Sequence, residues 1–196
     1  MAATLYPTII DGMIDENDVL ATNASTATLR CDAVGTKPIK RRKPIILANI
    51  GVGPDLSSCS LILKVQTAPS AAMTIQIDRL RRGQSGASWT NYDDAGLFSW
   101  AIAGAQDTSS DVYLANSFTK VVNTGDTTVT INDASLLAMA NLARADDGWL
   151  RLVMTAVSSD TVIFHSMEAI AVDNRPTMPI AGSTIGQGWL LLMKVG

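Results

Sequence analysis

One histidine and two cysteines are the only residues of their kinds in this 196-residue chain, so nucleophilic chemistry has few places to reside. Hydrolysis by a Ser or Cys triad needs a base, ordinarily an imidazole. The sole candidate, His165, follows the apolar run Val162-Ile163-Phe164. That setting predicts a strand on which the ring is a structural group. The sequence has no HExxH, GxSxG, Walker loop or GxGxxG, and Gly51-Val52-Gly53 reads as a turn before Pro54. Two carboxylates at a suitable separation suffice for glycoside hydrolysis. The adjacent acid pairs are Asp15-Glu16, Asp93-Asp94 and Asp146-Asp147. Each lies in a turn-like context, and neighbours in sequence need not converge on a substrate, so solvated loop acids are the expectation. Cys31 and Cys59 form no CxxC element and are too few for a disulfide framework; two buried free thiols are expected. The expectation is therefore a chain that is not an enzyme and needs no cofactor.

Two further groups are suited to binding. Lys37-Pro38-Ile39-Lys40-Arg41-Arg42-Lys43-Pro44 is a basic run bracketed by prolines, which favour extended backbone over helix. It reads as a solvated loop in which Lys40, Arg41, Arg42 and Lys43 would dock an acidic protein partner. Trp89, Tyr92, Phe98 and Trp100 crowd one stretch of chain. Trp89, Tyr92 and Trp100 could stack on sugar rings; packing of a loop is the competing use of the same aromatics. Trp89, set between two polar, glycine-containing stretches, is expected to be mainly a loop anchor.

The elements that must position these residues are short. Apolar or alternating stretches closed by Gly, Pro, Asn or Asp mark strands at 28–31, 44–50, 60–66, 74–79, 127–131, 149–155, 161–166 and 189–194. Thr127-Thr128-Val129-Thr130-Ile131 is the clearest, because β-branched side chains suit a pleated, half-buried surface. After Asn132-Asp133, a helix N-cap pattern, Leu136, Leu137, Met139, Ala140 and Leu142 indicate one short helix that Gly148 would stop. There is no internal repeat and no linker between two cores. The pattern predicts an all-β fold, an antiparallel β-sandwich of jelly-roll type with one short helix, as a single domain over residues 1–182. Residues 183–196 are expected to add a C-terminal apolar strand or arm.

Composition narrows the partners. The net charge of -3 disfavours nucleic acid, whose binders carry a basic excess. No run of 18 apolar residues suggests a membrane span, and the N-terminus lacks the pattern of a secretory signal. Only 17% of residues are charged, against roughly 25% in an ordinary soluble domain. A surface so poor in charge is expected to be covered in part by partners.

Three blocks in order resemble the DNRLRE-type β-sandwich domains, which are similar to carbohydrate-binding modules and also occur in bacteriophage structural proteins. The first runs Pro44-Ile45-Ile46-Leu47-Ala48-Asn49-Ile50 through Pro54-Asp55-Leu56 to Leu61-Ile62-Leu63-Lys64-Val65. The second is Arg79-Leu80-Arg81-Arg82, then Ala87-Ser88-Trp89-Thr90-Asn91-Tyr92-Asp93, Trp100 and Gly104-Ala105-Gln106-Asp107-Thr108. The third is Val162-Ile163-Phe164-His165-Ser166-Met167-Glu168 with Asn174-Arg175-Pro176. Ala48-Asn49 stands where the family has a phenylalanine-aspartate pair. The resemblance spans roughly residues 9 to 180. Within its third block, Glu168 and Arg175 are expected to be structural, holding the closing strands by charge-assisted hydrogen bonds.

With the low charge, the missing export signal and the added tail, the resemblance implies a virion structural protein of a bacteriophage, made in the host cytoplasm. A capsid decoration (cement) protein or tail component is expected, a homo-oligomer such as a trimer that docks on other virion proteins such as the major capsid protein. The alternative is a carbohydrate-binding module using Trp89, Tyr92 and Trp100, with a structural calcium ion held by loop oxygens. A carboxylate-based polysaccharide-degrading enzyme is a distant third. Trp189, Leu190, Leu191 and Leu192 form the most apolar stretch of the chain. Exposed, it would aggregate, so it should pair with a neighbouring subunit or with its own sandwich.

Overall fold

The computed structural model describes residues 4–16, 27–32, 42–82, 87, 90–91, 99–101, 103–105, 107 and 110–182. Its strands are β1 (Thr4–Leu5), β2 (Thr8–Asp15), β3 (Thr28–Asp32), β4 (Arg42–Asn49), β5 (Leu56–Cys59), β6 (Leu61–Thr67), β7 (Met73–Leu80) and β8 (Val112–Val122). After β9 (Thr128–Ile131) comes the helix α1 (Ala134–Ala145), followed by β10 (Trp149–Ala156), β11 (Thr161–His165) and β12 (Ile180–Gly182). The fold is all-β and antiparallel with one short helix, as the sequence pattern predicts.

One nine-stranded sheet runs β8-β7-β10-β4-β3-β11-β6-β9, with β2 also paired to β4, and a small sheet runs β1-β12-β5. β4 and β3 meet through the single register pair Arg42 and Asp32. On either side of this joint the sheet has become two layers that face each other. From one layer Ile46, Ala48, Leu152, Met154, Ile75 and Ile77 enter the shared core; from the other come Leu29, Phe164, Leu61, Leu63, Val129 and Ile131. This is the curled sheet of a sandwich. α1 adds Leu136, Met139, Ala140 and Ala143 to the same core.

A second cluster lies on the opposite face of β4 and β10. Side chains alternate along a strand, so Ile45, Leu47 and Val153 point away from the sandwich core. They pack instead with Ile14, Leu80, Val112, Ala87, Trp100 and Ala105. The described residues between β7 and β8, Ala87, Trp100 and Ala105 among them, therefore lie over the outside of the sheet as a third layer. Burial on both faces explains why Pro44–Ile50 reads as a nearly unbroken apolar run and not as an alternating one.

The helix starts where the sequence puts it. Asp133 is the N-cap and accepts a 2.8 Å bond from Ser135 N. At the other end Gly148 N donates to Ala143 O at 2.8 Å, with Gly148 at φ +79. Arg144 then fastens the β4–β5 turn, donating from Nη1 to Ile50 O at 2.6 Å and from Nε to Pro54 O at 2.7 Å. Gly148 is fixed by space as well as by φ: a Cβ there would lie 2.8 Å from Gly51 C and from Val52 N.

Both cysteines are free and buried, and burial pushes the Cys59 thiol up to about 12 and raises that of Cys31. Gly148→Ala is expected to destabilise the fold by more than the roughly 1 kcal/mol of a left-handed backbone penalty, because the new methyl meets backbone. Urea unfolding checks it; a loss below about 0.5 kcal/mol would show that the turn gives way.

Candidate functional site

The basic run divides at the start of β4. Arg42 Nε donates to Asp15 Oδ2 at 2.7 Å and its Nη1 to Asp32 Oδ2 at 3.1 Å, while its backbone N–H binds Asp32 Oδ1 at 3.1 Å. Arg30 Nε reaches the same Asp32 oxygen. Burial opposes the charge on Arg42, but Asp15 and then Asp32 outweigh it and raise its pKa above the ordinary value. Lys43 is buried, and its Nζ donates to Gly104 O at 2.8 Å, which ties the third layer to the sheet. These two residues were expected in a solvated docking loop. They are inward-facing strand residues, because the strand that opens at Arg42 has protein on both sides. Lys40 and Arg41 lie outside the described residues.

Of the aromatic group, Trp100 is 5% exposed, in the outer-face cluster. Its ring is enclosed and offers no open face to a sugar; it anchors the excursion, the role expected of Trp89. Trp89, Tyr92 and Phe98 fall outside the described residues, as do Trp189, Leu190, Leu191 and Leu192. The excursion is held by polar bonds too. The fully buried Asp111 accepts from Ala101 N at 2.9 Å and Asp107 N at 3.2 Å. Trp100 N donates to Thr90 O at 3.0 Å.

Two acid pairs are separated by their surroundings. Asp146 caps the C-terminus of α1 and its Oδ2 lies 3.4 Å from Arg79 Nη2. Asp147 turns to Arg151, 2.7 Å away, and this hydrogen bond lowers the Asp147 pKa against the opposing effect of burial. In the second pair Asp15 is engaged with Arg42, and Glu16 also has a partner. Asp93-Asp94 is outside the described residues. Among the described residues no group of three His, Cys, Asp or Glu side chains is placed to hold a metal ion. His165 is half-buried on β11 with Thr28 as its register partner.

Arg175 closes the turn that follows β11, donating from Nε to Ala169 O at 3.0 Å. Glu168 was expected to help hold the closing strands by a charge-assisted hydrogen bond. It is exposed, and its Oε2 accepts from Ser166 Oγ at 2.9 Å. No ion pair joins Glu168 to Arg175 among the described residues.

Two groups escaped the sequence reading. Arg79 is buried, its guanidinium 4.6 Å from the Tyr113 ring centre, and Arg81 stacks on the same ring at 4.0 Å. The Nε of Arg79 has no hydrogen-bond partner; its charge sits beside the electronegative end of α1, next to the capping Asp146. The other group is Asp11, 1% exposed on β2, whose Oδ2 accepts from Met167 N at 2.9 Å. Alternation in Thr8–Asp15 would have put Asp11 on the same face as Ile9 and Met13 and so marked it as inward.

No family model matches the chain, and no curated protein does. Among solved structures it is similar to a chain of the Israeli acute paralysis virus full particle heated to 63 degrees, at 11% identity and a TM-score of 0.33, covering 93% of this chain and 69% of that one. A score that low carries no inference about fold or function. The family resemblance accordingly rests on the three sequence blocks.

Trp100→Ala is expected to cost roughly 3–5 kcal/mol, the usual loss for a truncated buried aromatic, measured by urea unfolding. A variant as stable as the parent would show that the third layer is not anchored through this ring. Arg42→Gln should cost about 2–3 kcal/mol, since it strands buried carboxylates. Arg30→Gln, at a more exposed position, should cost less than about 1 kcal/mol. Equal losses would place the burden on Asp32 alone.

Proposed function

We propose that this chain is a non-catalytic virion structural protein of a bacteriophage, a capsid decoration (cement) protein or tail component that assembles with copies of itself and docks on other virion proteins. The observation that carries the reading is a surface poor in charge that also displays large apolar side chains. Ile170 is 99% exposed, Tyr6 69% and Val172 67%. Single exposed apolar residues are ordinary on a monomer. With charged residues at 17% of the chain, however, there is little else to keep such a surface in water, and burial against partners removes the cost.

The polar groups near the expected sites favour a scaffold over a sugar-binding module. Arg42 and Lys43 are engaged within the fold, and Trp100 is packed from the third layer onto the outer face of the sheet. The C-terminal segment 183–196 is proposed as the assembly arm. Ile180 of β12 already enters the core and pairs with Cys59 of β5, so a closing strand precedes that segment.

Light scattering coupled to size exclusion tests the reading, run on the full chain and on a chain ending at Gly182, beside a glycan array. A stable homo-oligomer that retains no glycan, with a folded monomer from the shortened chain, is the expected result. A full-length monomer that binds glycan would replace the proposal with the carbohydrate-binding module. An oligomer from both chains would remove the arm and leave assembly to the sandwich surface.

A further inference from the structure

We propose that copies of this chain meet head to tail, the turn at 168–173 of one seated on the Arg79–Tyr113–Arg81 cluster at the β8 edge of the next. The inference rests on the assembly reading and adds, beside the arm, the contact that orients one copy on its neighbour.

The sheet register lines up the two surfaces. Tyr113 of β8 pairs with Arg79 of β7, Arg79 with Leu152 of β10, Leu152 with Ile46 of β4, and Ile46 with Asp11 of β2. These five residues make one row across the layer, and four strand spacings of about 4.8 Å give it a length of about 19 Å. β8 closes the row on one side, with β7 as its neighbour in the described sheet. On the other side Asp11 Oδ2 accepts from Met167 N at 2.9 Å, which fastens the turn to β2. Turn and cluster therefore lie at one height on opposite borders of the layer. They are too far apart to meet within one chain, and a copy displaced sideways brings them together.

Their chemistry is complementary. On the turn, Ile170, Ala171 and Val172 are exposed between Glu168 and Asp173, which are exposed as well. Neither acid forms an ion pair among the described residues, and Arg175 gives its Nε to Ala169 O. The cluster has the opposite sign. The Arg79 and Arg81 guanidiniums lie 4.6 Å and 4.0 Å from the Tyr113 ring centre. Arg79 is buried and has Asp146 Oδ2 3.4 Å from its Nη2, so one exposed carboxylate stands against two cations. The nearby acids are turned elsewhere: Asp111 accepts from Ala101 N and Asp107 N, and Asp78 from Gln76 Nε2. Arg81 is exposed, and its Nε donates to Val112 O at 3.3 Å. Held by that bond and by the ring, its guanidinium is already ordered for a carboxylate, which lowers the entropy lost on docking. Leu114, exposed next to Tyr113, offers apolar area to Ile170.

The β8 edge is unsuited to receiving a strand. Residues 114–117 bulge opposite Asp78, and Lys120 follows on the same strand; bulges and edge lysines both obstruct strand addition. A compact turn needs no backbone ladder and docks through side chains. Because the acidic and basic halves are different surfaces of one chain, the contact is heterologous, and it joins copies into a ring when the rotation closes.

Analytical ultracentrifugation of the full chain tests the contact. Arg81→Glu and Asp173→Arg are each expected to raise the dissociation constant of the oligomer about ten-fold or more, since each sets like charges against each other. The double variant should return to within about three-fold of the parent, because the pairing is then reversed and not removed. Ile170→Asp, at an exposed position, should weaken assembly without loss of urea stability; with Asp173→Arg it carries the test should Arg81→Glu fail to fold. Single variants that assemble as the parent does, or a folded double variant that stays dissociated, would overturn this contact and leave the assembly reading standing. A monomeric parent would overturn both.

Discussion

β4 is buried on both of its faces, and most of the described structure follows from that constraint. Its inner face, through Ile46 and Ala48, belongs to the sandwich core, while Ile45 and Leu47 lie beneath the returning β7–β8 connection. A strand enclosed in this way cannot leave a polar group to water. Lys43 therefore binds Gly104 O, and Arg42 binds Asp15 and Asp32, at the point where β4 hands over to β3 and the sheet curls. The same bonds that satisfy these cations set the joint between the two layers and fix the third layer on the outside.

That arrangement bears directly on function. Arg42, Lys43 and Trp100, which look like binding groups in the linear chain, have been absorbed into the scaffold, and what remains outward among the described residues is largely uncharged. Ile170 and Val172 sit on the turn held by Arg175, Ser166 and Asp11. The exposed side chains of Ile170 and Val172 are thus carried on a turn whose polar fastening is internal.

The strands missed from the sequence have physical reasons. Along β8, four residues, 114–117, oppose the single Asp78 of β7, since Ile77 pairs with Phe118 and Arg79 with Tyr113. Asn116 at φ +70 makes this bulge, and Leu114 is exposed on it. The bulge destroys the period of two that a strand would otherwise show, so the element was invisible to alternation. β2 was hidden differently: Asp11-Gly12 and Asp15-Glu16 look like turns, yet Asp11, Gly12 and Asp15 lie along a strand whose acids are satisfied by Met167 N and by Arg42.

What the sequence determined by itself was local. Alternation and β-branching specified most of the strands; Asp133 and Gly148 delimited the helix; the two isolated cysteines were expected to be buried, and they are. Each of these depends on a residue and its near neighbours, through backbone preference or capping. Tertiary structure decided which polar residues were available. Arg42, Lys43 and Trp100 have the composition of a docking surface, but their accessibility depends on segments distant in sequence: Arg42 on Asp15 and Asp32, Trp100 on the face of β4 and β10, and Lys43 on Gly104, a separation of 61. No pattern within β4 encodes that cover, because the stabilisation comes from contacts that exist only once distant segments have met.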